Sequence, residues 1–511
     1  MITIKDRFEF NIWIENRKQK KIPNDKKNEA KNYNIYIDCF FTDYIAAFLP
    51  RLIYAKGLLK NNPQCKLMAL CDKNEKDINT IAEVYGITMH SIRTKRSLIR
   101  AIITAIYIFF FKNTTRLIYS LTYNDIEIGK YVADFLIRYS SDLFTMEKVR
   151  FRDLKHLIKF YWALYEADEL FKKNPPDMYV VLEVGYFYGP IIKLAKASGA
   201  KIVQCLAGLG IREIGNGRPI NNQDNDNYQI QDIIKQVVPA GIDYRQWTDE
   251  YYARRMRGLT DIQATAAYSN KIVFTREEWV KKNHANPNQK NVVIMAHCFS
   301  DDANSVTSRT IYRDYYQWLI RTLEIIQGID NVNWLLKAHP SRHLYGEGEC
   351  VYEIFERYAN KDNIFIVEDE MSTEALFNII DGAVTVVGTC GLEFSSFGIP
   401  VVCAGFASFG GFGFTIEPTT EDEYIKCLKN MVNAEKLSEE KIDMARKVSY
   451  VLFNLTEPKD DMDKLLWNSL KKNPIESSDY VIKKMNELFE KGFFEGECYY
   501  YKKANADYTN M

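Results

Sequence analysis

From residue 34 onward, short apolar runs alternate with longer stretches in which apolar residues recur every three or four positions. Runs of the first kind predict buried strands, stretches of the second kind predict helices packed on them, and their alternation predicts parallel sheets. In the first half, strands are expected at Asn34–Phe40, Lys66–Leu70, Arg116–Leu121, Asp177–Leu182 and Lys201–Cys205. Helices are expected between them at Tyr44–Leu59, Glu75–Tyr85, Ile126–Tyr139, Phe144–Lys173 and Pro190–Ser198. Asn216–Tyr228 reads as a polar loop, and Ile272–Thr275 as a last strand. In the second half, strands are expected at Asn291–Ala296, Val332–Lys337, Asn363–Val367, Ala383–Val387 and Ile399–Cys403. Helices follow at Tyr312–Gln327, from a cap at Ser372 or Thr373 to Ile379, and at Glu421–Val432 and Glu439–Val451.

This pattern divides the chain into a basic polar arm (1–31), an N-terminal α/β domain (32–284), a C-terminal α/β domain (285–455) and a helical tail (456–511) that returns toward the first domain. The most apolar stretch, Leu98–Phe111, is too short to cross a bilayer and contains Arg100. With Arg93, Lys95, Arg96, Lys112 and Arg116 around it, two readings stand: a core helix, or a helix lying in a membrane interface.

Composition narrows the function classes. Lys plus Arg equals Asp plus Glu, at 67 each, so no overall field steers the chain to nucleic acid. Ten cysteines are scattered without a Cys-x-x-Cys pair, which predicts a reduced, cytoplasmic chain with neither a disulfide framework nor a zinc site. Met1–Arg7 opens no long apolar segment, so no secretory signal is expected. There is no Gly-x-Ser-x-Gly elbow, Walker loop or Gly-x-Gly-x-x-Gly fingerprint.

Candidate chemistry collects at strand ends. The apolar run to Val387 breaks into Gly388-Thr389-Cys390-Gly391 and then a helix containing Glu393, a turn that suits a phosphate. Pro340 ends the Val332–Lys337 strand and leaves His339 at its carboxyl end, where ligands of open α/β sheets bind. Gly405 opens a glycine-rich loop to Gly413 that suits folding over a ligand. Glu183 and Asp301 lie just beyond two other strands, each a candidate proton acceptor or an ordinary loop carboxylate. Asp224-Asn225-Asp226 spells an Asp-x-Asp metal motif, but no buried strand delivers it, so no metal is assigned.

As a set, His339-Pro340, Gly388-Thr389-x-Gly391-x-Glu393, Gly398-x-Pro400-Val401-Val402 and Gly413-Phe414-Thr415-Ile416-Glu417-Pro418 resemble the donor half of bacterial capsule and surface polysaccharide glycosyltransferases. Asn124–Gly129 with Asp134 and Arg138, and Glu183–Gly189, add to the resemblance. It implies a GT-B fold, two Rossmann-like α/β domains with parallel sheets facing across a cleft. It also implies a metal-independent enzyme without cofactors that uses a nucleotide sugar, CMP-sugar such as CMP-Kdo before UDP-sugar, and a glycan or glycolipid acceptor. Under this resemblance His339, Pro340, Ser372, Gly388, Thr389, Gly391, Glu393 and Gly405 bind the donor, His339 assists departure of the phosphate, and Asp301 or Glu183 is the base. Work on a lipid-linked glycan would place the chain at the inner face of the cytoplasmic membrane. The alternatives are a sugar-nucleotide 2-epimerase on the same fold and a non-catalytic partner in polysaccharide assembly.

Overall fold

The computed structural model describes residues 33–39, 50–58 in part, 65–71, 87–91, 94–140, 142–206, 210–237, 243–260, 272–371 and 373–455, with a few positions between 480 and 491. The basic arm, most of the tail and the helix expected at Glu75–Tyr85 lie outside these residues.

The first sheet contains β1 (Asn34–Cys39), β2 (Lys66–Cys71), β3 (Thr88–Ser91), β4 (Met178–Val181), β5 (Lys201–Leu206) and β6 (Gly210–Ile214). Its spatial order is β3-β2-β1-β4-β5-β6, with every pairing parallel except that of β6 on β5. The second sheet contains β7 (Lys290–Met295), β8 (Val332–Lys337), β9 (Ile364–Val367), β10 (Gly382–Thr385) and β11 (Val401–Cys403). Its order is β9-β8-β7-β10-β11, and all its pairings are parallel. Both orders reverse beside the first strand of the sheet, the Rossmann arrangement that opens a crevice at the carboxyl ends of its strands. The two sheets face one another across a shared cavity, the GT-B architecture.

Several elements depart from the sequence expectation. Arg116–Leu121 is not a strand; Thr115–Tyr119 is a helical turn that the Thr114 hydroxyl caps by accepting the Leu117 N–H, with Ile118 as its buried residue. The chain then makes a hairpin, pairing Thr122–Tyr123 with Ile126–Glu127. Its turn residues Asn124 and Asp125 both have positive φ (46° and 62°), as a tight hairpin turn requires. Asn216–Tyr228 is only partly a loop. Asn222–Val237 is helical, started by the Asn221 side chain accepting the Asp224 N–H at 2.9 Å.

Helices α1 (Lys95–Phe111), α2 (Gly129–Tyr139), α3 (Leu154–Lys173) and α4 (Tyr188–Ala197) belong to the first core. Helices α5 (Asn222–Val237) and α6 (Tyr244–Arg255) instead send Ile230, Tyr251 and Tyr252 into the second core, as the helix Arg276–Asn283 does with Trp279. The chain therefore passes to the second body soon after β6, well before the boundary at 284/285 expected from its polar linker. Late in the chain, α7 (Tyr315–Ile326), α8 (Cys390–Ser396) and α9 (Glu439–Tyr450) complete that body, with α6 packed on α9.

The segment after β7 joins the two bodies. Asp134 of α2 accepts the Asn304 N–H at 2.9 Å and the Ser305 hydroxyl, and Tyr119 donates to Asn304 Oδ1 at 2.6 Å. Tyr186 donates to the Ser300 carbonyl at 3.2 Å. Gly185 lies so close to Asp302 that a Cβ there would stand 2.3 Å from its carboxylate.

Candidate active site

A cavity of about 320 Å³ occupies the space between the sheets. The loop after β4 lines it with Glu183 and Tyr186, and the start of α5 with Asn222 and Gln223. Opposite them stand His297, Asp301 and Asp302 after β7, His339, Pro340 and Ser341 after β8, and Thr385 with Gly388, Thr389, Cys390 and Glu393 after β10. Since β7 and β10 are the neighbours at which the second sheet reverses, the cavity sits at a topological switch point.

His339 is held in one tautomer. Its Nδ1 accepts the backbone N–H of Ser341 at 3.2 Å, and the Cys298 thiol, kept protonated by burial, lies 3.2 Å from the same nitrogen. Burial, helped by the charge of Arg342, pushes the imidazole down to about 4, so near neutrality the ring is uncharged and its proton resides on Nε2. His297 has the opposite tautomer, because its Nε2 receives the N–H groups of Val386 and Val387 at 3.3 and 3.4 Å and faces the Thr385 hydroxyl at 3.0 Å. Burial and the neighbouring His339 push it down to about 3. Stacked on Tyr315 at 4.4 Å, His297 pins the chain just before Gly388.

The backbone N–H groups of Gly388 and Thr389 donate to no protein acceptor among the described residues. A side chain at Gly388 would meet the Thr385 hydroxyl at 2.9 Å, so glycine keeps this turn open.

Three carboxylates also line the cavity, Asp301 and Asp302 after β7 and Glu183 after β4. Asp301 is itself exposed at the cavity wall, but the protein crowded around it desolvates the carboxyl and lifts it to about 6; Glu183 adds to the rise, and Tyr345 and Arg138 oppose it. Asp302 is pushed well above the carboxylate range by burial, then by the charges of Asp134 and Glu183, and its Oδ2 has no hydrogen-bond partner among the described residues. Glu183 accepts its neighbour Val184's N–H at 2.9 Å and the Asn222 amide at 3.3 Å.

Of the residues singled out from sequence, Glu183, Asp301, His339, Pro340, Gly388, Thr389 and Glu393 all reach this cavity. Ser372 lies outside the described residues. Gly391 and Gly405 do not line the cavity. Gly391 makes room for the Phe409 ring, where a Cβ would come within 2.9 Å, and Gly405 packs behind Val386 and Val387. The glycine-rich loop does not fold over the cavity either, because Asn227 of α5 holds the carbonyls of Ser408 and Gly410 at 3.0 and 2.8 Å. Asp224 is likewise engaged, accepting from Thr307 at 2.8 Å and the Ser308 N–H at 3.1 Å.

Sequence reasoning gave no role to His297, Asp302, Tyr186 or Arg255. His297 carried a readable signal, a histidine directly after a buried run, as did Thr385, the one polar residue within its strand. Arg255 carried none, because its partner Glu393 is 138 residues away.

A search of curated proteins finds no match. Among solved structures the chain is similar to Thermosulfurimonas dismutans KpsC, a beta Kdo 2,4 transferase, with 12% identity over 53% of this chain and 79% of that one and a TM-score of 0.30. It is similar to a putative UDP-N-acetylglucosamine 2-epimerase from Listeria monocytogenes, with 10% identity over 86% and 96% and a TM-score of 0.27. A third is the lipopolysaccharide outer core galactosyltransferase WaaB, with 9% identity over 85% and 98% and a TM-score of 0.31. The family of capsule polysaccharide biosynthesis proteins matches residues 228–454, which begin within α5 and run through the whole second sheet to the end of α9. The wall of the cavity that holds His339 and Gly388 lies within this matched segment.

Proposed function

We propose that the chain is a glycosyltransferase that moves a sugar from a nucleotide-activated donor to a growing capsular or surface polysaccharide. The observation that carries this reading is one cavity lined both by uncharged donors, Gly388 N–H, Thr389 N–H and the neutral His339, and by the carboxylates Asp301 and Glu183. In the reaction the acceptor hydroxyl oxygen bonds to the anomeric carbon as the bond from that carbon to the phosphate oxygen breaks. The bonding electrons leave with the phosphate, whose charge the fixed donors stabilise without reorganising. Asp301 takes the hydroxyl proton; a carboxylate lifted to about 6 is well matched to that task near neutrality. Glu183 is the second candidate base.

A CMP-sugar is the favoured donor, ahead of a UDP-sugar. Among the cavity-lining residues the one guanidinium, Arg255, already pairs with Glu393 at 2.8 Å. Neutral donors suit the single negative charge of a CMP-sugar phosphodiester better than the two of a diphosphate.

The test is a thermal-shift and turnover screen against CMP, CDP, UDP, GDP and their sugars, with and without EDTA. Selective binding stabilises the native state by mass action. The expected result is a metal-independent shift with CMP and its sugars that is lost in His339→Ala. An epimerised nucleotide sugar formed without acceptor would move the assignment to a 2-epimerase. Folded protein that responds to no nucleotide would overturn the enzyme reading in favour of an assembly partner.

A further inference from the structure

Helix α1 has two unlike faces. Ser97, Ala101, Ala105 and Ile108 are buried, and the helix packs on α3, with Thr104 bonded to Tyr165 at 2.7 Å and Thr94 donating to Glu166 at 2.8 Å. The other face is apolar and exposed. Ile99, Ile103, Ile106, Tyr107, Phe110 and Phe111 are each between 46% and 69% exposed. Positions 99, 103, 106 and 110 fall on one line of the helix, with 107 and 111 beside it. Phe151, 78% exposed, extends the stripe, its ring standing edge-on to Phe109 at 6.4 Å. Isolated exposed apolar residues are ordinary, but a contiguous stripe of this kind marks an interaction surface.

The charges around the stripe identify what it meets. From Lys95 to Tyr119 there are five basic side chains (Lys95, Arg96, Arg100, Lys112 and Arg116) and no acidic one. Lys95 and Arg96 are exposed at the start of the helix, and Arg116 is exposed beyond its end. A second copy of the chain fits this surface poorly, because a two-fold contact would set the same basic residues against each other. A bilayer surface fits it well: apolar side chains enter the boundary between headgroups and acyl chains while lysines and arginines meet anionic headgroups. At 17 residues the helix lies along a membrane rather than across it, and no described helix is long and apolar enough to cross one.

We infer that the exposed face of α1, extended by Phe151, is a membrane-docking surface that holds the enzyme on an anionic bilayer.

The experiment is co-sedimentation of the full chain with vesicles of phosphatidylcholine, alone or mixed with phosphatidylglycerol, beside sedimentation of the protein without lipid. Wild-type protein is expected to bind the anionic vesicles at least about tenfold more tightly, and to lose that increment in salt. The pair Ile103→Asp and Phe110→Asp is expected to weaken binding to both vesicles by about tenfold or more. Lys95→Gln with Arg96→Gln is expected to reduce only the anionic increment, and this pair with Phe110→Ser carries the test if the aspartate pair fails to fold. Absence of vesicle binding by wild type, or binding unchanged in the variants, overturns the proposal. A wild-type dimer that the aspartate pair converts to monomer overturns it in favour of a second copy.

Discussion

Arg255, the last residue of α6, donates from Nε and Nη2 to Glu393 Oε1 of α8, both at 2.8 Å, with both side chains buried. This pair ties a helix next to the family segment's start to the turn carrying Gly388 and Thr389. Removing one partner of a buried pair leaves the other charge uncompensated. Arg255→Met or Glu393→Leu alone is expected to cost about 3–5 kcal/mol, and the two together much less. Denaturant unfolding of the four proteins of this cycle checks it, and a double variant destabilised by the sum of the two single effects would refute the coupling.

The proton acceptor has a pH signature. Asp301 must be deprotonated to act as base, and its raised value of about 6 places that ionisation within the working range. Donor transfer is therefore expected to rise with pH through about 6 and level off above it, and Asp301→Asn to lower kcat by roughly 10²–10⁴-fold. A flat rate between pH 5 and 8, on the scale of about 6 given by this carboxyl, would transfer the role to Glu183.

Asp302 affects stability with a definite sign. Its folded pKa lies above the unfolded value of 3.8, so it contributes stability below that value and loses it as pH rises. Asparagine mimics the protonated acid and does not ionise. Asp302→Asn is expected to raise Tm, and by more at pH 8 than near pH 4; an equal shift at both would show that the carboxyl is not held neutral.

Gly185 couples the two bodies through shape alone. A methyl group there would stand 2.3–2.5 Å from the Asp302 carboxylate atoms, and Asp302 is fixed by Ser305. Gly185→Ala is expected to cost about 1–3 kcal/mol by overpacking and to lower turnover more than donor binding. Calorimetry and a donor titration separate these effects, and wild-type stability would refute the contact.

Burial of two imidazoles predicts acid sensitivity. Their folded values, about 4 for His339 and about 3 for His297, lie below the ordinary 6.5, so the unfolded chain binds more protons as pH falls through that window. Stability is expected to fall by roughly 3 kcal/mol for each imidazole between pH 7 and 4, and His297→Gln to remove about half of that dependence. Parallel acid-unfolding curves for the two proteins would contradict it.

What neighbouring residues fix is local. A strand such as Val332–Lys337 is set by a buried run ended by Pro340, so the position of His339 at its tip follows from neighbouring residues alone. The same holds for Gly388 and Thr389 beyond β10 and Asp301 beyond β7. Where local signals compete, pattern alone failed. Arg116–Leu121 looks like a strand, yet the Thr114 cap and a single buried Ile118 make it a helical turn. Asn216–Tyr228 looks like a loop because it is polar, yet Asn222 starts a helix that Ile230 anchors in the second core.

Which strand ends share a cavity, which charges pair and which carboxyls stay protonated are settled by long-range packing. Arg255 meets Glu393, and Asp134 meets the loop around Asp302, across more than a hundred residues. Burial and opposing charge shift proton affinities only after such segments pack, so the tautomer of His339 and the rise of Asp301 have no sequence signature. The face of α1 shows the same division: its amphipathic spacing is written in the chain, but which side is covered depends on where α3 packs.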